Sequence, residues 1–229
     1  MALDARGLVE AVLLLLAWAA SLAVRPWRLL RPYGGSLPPL VTPFLACLTL
    51  LPWLWCLPGL TALPLPLHWS GAPLVALLLG WPLTVPVVTV AGLATMVFAD
   101  GSPAHALSLI VWAGLAPATA VLLLGHLVRK AFGPHPAAFV LGRAFLVPLL
   151  TLVACGFMAA ASSHGLQGPS AALQRVAVVL LAMGEASWTC AVVSVLVAGR
   201  PQWLATWSDR MYLRRPARES AKAQLRPRR

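Results

Sequence analysis

The residues of this chain that could do chemistry are few, and each sits in or beside apolar sequence. His68 lies in LHWSG, Asp100 and His105 in FADGSPAH, and Glu185 in AMGEASWTC. An ionisable side chain at depth in hydrocarbon is costly, so one found there is a functional candidate by default. Imidazole and carboxylate together suit a divalent transition metal such as nickel, cobalt or zinc. His68 and His105 also fit a plainer role as interfacial polar groups, and Asp100 one as a turn former before Gly101. Glu185 has no charge within nine residues on either side. It must face a bundle interior, where it is paired, protonated, bound to metal or hydrogen-bonded to a neighbouring helix. His126, His135 and His164 fall at span ends or in loops and are expected to be solvated. No Walker A loop, G-x-S-x-G or HExxH motif is present. The chain is therefore not expected to hydrolyse anything itself.

The elements that must position these residues are apolar helices. The 229 residues are 60% hydrophobic and 10% charged, with mean hydropathy +0.84. A soluble domain carries about 25% charged residues, so the composition predicts an all-α integral membrane protein. The ten tryptophans agree, since indole rings favour the bilayer interface. Net charge is +11, of which Gly199 to Arg229 supplies +7 through eight Arg and one Lys against Asp209 and Glu219. That basicity belongs to the tail, and with no binding fold beside it no nucleic-acid partner is expected. Cys47, Cys56, Cys155 and Cys190 lie in apolar segments without CxxC spacing and read as small buried hydrophobes.

Leu8 to Val24 is long enough to span, with Glu10 at its outer end. A cleaved signal peptide is the alternative. Asp4, Glu10 and the following Arg25, Arg28 and Arg31 favour a retained helix with its amino terminus outside. Leu40 to Leu57 is the second span, closed by Pro52 and Pro58. Gly71 to Phe98 offers 28 almost uncharged residues, long for one span and short for two. Counted as one span, it places the Arg129-Lys130 loop and the basic tail outside, against the positive-inside rule. Counted as two short helices with a turn at Trp81 to Pro86, it places every basic segment inside. About seven spans follow, the last three near His105 to Val128, Ala137 to Ala161 and Leu173 to Ala198. Arg143, near a cytoplasmic helix start, is expected to snorkel.

The domain reading is a helical bundle over 1–199, an interfacial segment over 200–213 and a basic disordered tail over 214–229. Trp203, Trp207 and Met211 fall on one face of a short interfacial helix. The tail is drawn to anionic lipid.

The run HWSGAPLVALLLGWPLTVPVVTVAGLATMVFADGSPAHALSLIVWAGLAPATA, with the closing MGEASWTCAVVSVLVAGRPQWL, resembles CbiM/NikM-type proteins. Those are the substrate-capturing membrane components of energy-coupling factor cobalt and nickel transporters. The likeness extends in order to about Leu213, and RPQWLATWSDRMYL is similar to a proteobacterial subgroup of CbiM-like predicted permeases. The resemblance implies a seven-helix bundle in the bacterial inner membrane. It also implies a coupling transmembrane subunit and cytoplasmic ATPases from other chains, and a transition metal ion as substrate rather than a resident cofactor. His68 matches the family's metal-ligand histidine, and Glu185 its carboxylate in the last helix. The family begins Met-His-Ile-Pro-Asp-Gly, whose amine and histidine supply ligands, whereas this chain begins Met1-Ala2-Leu3-Asp4. The non-transport alternative is a membrane accessory or assembly protein of metal homeostasis that has lost the site.

Overall fold

A computed structural model describes residues 5–31, 38–57, 69–162, 171–208 and 212. The described residues are helical throughout, joined by turns and loops, with no strand among them. The helices are α1 (Ala5–Val24), α2 (Val41–Trp55), α3 (Ala72–Leu79), α4 (Trp81–Phe98) and α5 (Pro103–Phe132). After them come α6, whose π-helical turns Ala138–Leu146 run into Val147–Ser162, and α7 (Ala171–Gly199). Five of these, α1, α4, α5, α6 and α7, contain apolar stretches long enough to cross a bilayer; α2 is shorter.

The first span begins at Ala5 rather than Leu8, because Arg6 and Glu10 pair one turn apart, with Arg6 Nε donating to Glu10 Oε1 at 3.0 Å. Pro52 does not close α2, which runs on to Trp55. The chain breaks at Gly80, before the expected turn at Trp81 to Pro86 rather than within it. Gly80 takes φ 75, ψ 167, and Trp81 to Pro86 are already helical. Pro82 sits in the first turn of α4, where its missing N–H would have had no partner. Pro86 is inside the helix, and its missing N–H orphans the Pro82 carbonyl. Ser21 of α1 supplies the donor instead, Oγ to Pro82 O at 2.7 Å.

These contacts set the helix directions. Arg6 donates to Ser108 Oγ at 3.0 Å and Trp112 Nε1 to Glu10 Oε1 at 2.9 Å, so α1 and α5 start at the same end. Trp18 Nε1 reaches Thr89 Oγ1 at 3.1 Å and Ser21 reaches Pro82, so α1 ends where α4 begins. The end holding the start of α4 also collects Arg25, Arg28 and Arg31 after α1, Arg129 and Lys130 on the last turn of α5, and Arg200 after α7.

Helix α3 is the innermost element. Ala72, Pro73 and the residues from Val75 to Leu79 are all buried, and the helix is apolar on every side, the pattern of an element enclosed by others. Eight residues rise only about 12 Å, less than half the thickness of a bilayer's hydrocarbon core. Its far end is tied down by the segment after α7: Ala205 N donates to Leu78 O and Thr206 Oγ1 to Leu77 O, both at 2.7 Å. That segment differs from the expected interfacial helix. It forms a 3₁₀ turn, Pro201–Trp203, and then buries Leu204 and Trp207 in the bundle beside Phe139 and Tyr212. Burial wins because α3 leaves two carbonyls at its carboxyl end that need donors. Met211, Asp209 and the tail from 213 onward lie outside the described residues.

Candidate functional site

Glu185 meets the start of α3. The N–H of Ser70 donates to Oε2 at 2.9 Å and the N–H of Gly71 to Oε1 at 2.7 Å, with the side chain 2% exposed. A half-helix that begins inside a bundle has unpaired N–H groups and a positive dipole end, and a carboxylate answers both. The chain supports this locally. Gly71 holds φ 65, and a Cβ there would stand 2.7 Å from Leu51 Cδ1. Pro73 occupies the first turn. Trp55 Nε1 donates to Ser70 O at 2.9 Å, and Ser70 Oγ donates to Ala113 O. Ala113 is available because its usual helical donor would be residue 117, a proline. The α-helix is replaced there by π-helical turns, Leu109–Leu115. Such turns recur at functional sites.

Above this floor lies a cavity of about 250 Å³ walled by α1, α5, α6 and α7. Arg6, His105 and Gln174, near the starts of their helices, line its upper part, and Ser70 and Glu185 line its depth. The walls between are mainly apolar, with Trp112, Leu152, Val178 and Leu181 among them, together with Cys155.

The structure thus brings His105 and Glu185 to one cavity. Asp100 is exposed, lies outside that lining and takes φ 49 in the turn between α4 and α5. Left-handed backbone is easiest for glycine, asparagine and aspartate, so Asp100 serves the turn. Gly101 N completes it by donating to Thr95 O at 3.0 Å. Ser102 caps α5, accepting from the N–H of His105 at 3.2 Å. His126 and His135 are exposed, and His126 Nδ1 lies 3.0 Å from an Arg129 nitrogen. His68, Asp4 and His164 lie outside the described residues. Among the described residues no three of His, Cys, Asp and Glu come together as a metal-binding group. All four cysteines are free.

Sequence reasoning passed over Arg6, Ser70, Trp112 and Gln174. For Arg6 the signal was the i,i+4 spacing to Glu10. For Ser70 it was the Ser-Gly-x-Pro start of a fully apolar helix. Gln174 carried none.

Compared with protein-family models, curated proteins and solved structures, the chain matched none of them.

Proposed function

We propose that this chain is the substrate-capturing membrane component of an energy-coupling factor type importer in a bacterial inner membrane. Its amino terminus is outside and its carboxyl terminus cytoplasmic. On this reading seven segments cross or enter the bilayer: five full spans, the shorter α2, and the half-helix α3. The positive-inside rule supports the orientation, because the basic ends of α1, α5 and α7 lie together. A coupling subunit and ATPases on other chains would supply the energy, and this chain hydrolyses nothing.

The observation that carries the reading is the cavity of about 250 Å³ reaching from Arg6 and His105 down to Glu185 at mid-helix. A closed floor below an accessible chamber suits capture from one side. Discontinuous helices that end at mid-depth recur at membrane substrate sites. The substrate is a transition metal ion of the cobalt or nickel kind, bare or in a complex, with His68 as the metal ligand and His105 and Glu185 lining the path. A second reading keeps the fold but not the cargo: an accessory protein of metal homeostasis. It draws on the absence of a three-donor group among the described residues and on the engagement of both Glu185 oxygens with backbone N–H groups.

Mass spectrometry of the purified chain, with and without His68→Ala, separates the two. Stoichiometric metal that is lost in His68→Ala supports capture. No metal in either form sinks the metal version.

A further inference from the structure

We propose that the basic end of the bundle carries a site for the phosphate of an anionic phospholipid, in the corner between α5 and α6. It concerns neither the cavity nor its cargo, and it stands whichever reading of the function holds.

Arg143 belongs to the first turns of α6, where a snorkelling side chain is expected to run out into water. It does not run free. Its stem crosses α5 at Gly125, where a Cβ would stand 2.7 to 3.1 Å from the arginine's Nε, Cγ and Cδ. Its guanidinium lies 5.7 Å over the Phe139 ring, and its Nε is buried with no hydrogen-bond partner. A buried, unpartnered guanidinium N–H is costly, so the geometry asks for an acceptor.

Arg143 shares a small pocket with Arg129, Tyr212, Gly133 and Ala138, with about 10 Å³ of open space. That is room for about one oxygen atom. The chemistry around it favours an anion from two sides. Arg129 and Arg143 line it, and so does Tyr212, which hydrogen-bonds the Arg143 side chain but leaves its Nε without a partner.

A lipid phosphate fits better than free phosphate. The pocket admits one oxygen and leaves the rest of the headgroup outside. α5 and α6 also present exposed Leu127, Phe132 and Leu141, apolar surface on which acyl chains can lie. Basic pockets between spans on the cytoplasmic side are suited to anionic headgroups.

The test is native mass spectrometry of the full chain exchanged into phosphatidylglycerol or phosphatidylcholine, with inorganic phosphate as a separate arm. We expect phosphatidylglycerol to be retained preferentially. Arg143→Gln and Arg129→Gln should each lower that preference about fivefold, the worth of one arginine at a membrane surface. Arg200→Gln should leave it unchanged. If Arg143→Gln does not fold, Arg129→Gln decides alone. Equal retention of the two lipids, a preference untouched by Arg129→Gln, or binding of inorganic phosphate without phosphatidylglycerol would each overturn the proposal.

Discussion

Replacing Glu185 by alanine removes the acceptor for two N–H groups at the start of α3, the buried one of Ser70 at 2.9 Å and the part-buried one of Gly71 at 2.7 Å. A buried donor left without a partner costs about 1–3 kcal/mol, so the loss at Ser70 costs that much and the part-buried N–H of Gly71 adds less. No nearby side chain compensates, because Ser70 Oγ is already committed to Ala113 O. Glu185→Gln keeps one acceptor oxygen but turns an amide NH₂ toward the other N–H, so its loss should fall between alanine and wild type. The assay is reversible unfolding in mixed micelles, read by tryptophan fluorescence. Trp55 donates to Ser70 O and so reports on the same junction. Stability of Glu185→Ala within about 0.5 kcal/mol of wild type, the range of an ordinary surface substitution, would show that α3 is not held by this carboxylate.

Ser21→Ala should cost about 1–3 kcal/mol by orphaning Pro82 O, and adding Pro86→Ala, which returns a helical N–H to that carbonyl, should recover part of it. A double mutant no more stable than Ser21→Ala would refute that account. Gly92→Ala places a Cβ 2.2 Å from Ile110 Cγ1, so the α4–α5 crossing must open, at about 1–3 kcal/mol in the same unfolding assay. Thr206→Val should loosen the carboxyl end of α3 from Leu77 O and raise hydrogen exchange at residues 77 to 80. A reporter fused after Arg229 should read as cytoplasmic and one inserted after Gly101 as external; the opposite result would invert the orientation.

Much of the helix layout was legible in the chain. Apolar runs bounded by charge or proline mark the long helices α1, α5, α6 and α7 to within a few residues, because a helix that must bury or immerse its side chains leaves a compositional trace. Positive-charge counting also predicted a break in Gly71 to Phe98. The break fell at Gly80 because Pro82 and Pro86 each tolerate a helix, one in its first turn and one with Ser21 as substitute donor. No local rule reveals that substitute, which comes from another helix.

The candidate site was half legible. Glu185 stood out because an isolated carboxylate in an apolar helix has to be answered by something. What answers it, two backbone N–H groups from a helix more than a hundred residues away, leaves no mark in residue types. Asp100 and His105, five residues apart, looked alike in sequence. The fold sends Asp100 to a solvent-facing turn and His105 to the cavity.

By itself, then, the sequence determined a chain of helices apolar and long enough to cross a membrane, with a basic end and one isolated carboxylate in its last helix, since composition and charge placement act residue by residue. Only the tertiary structure decided that α3 is a half-helix clamped by Glu185 at one end and by Ala205 and Thr206 at the other. The reason is physical: backbone N–H and C=O groups are the same in every residue, so which of them go unpaired, and what finds them, depends on how the helices meet.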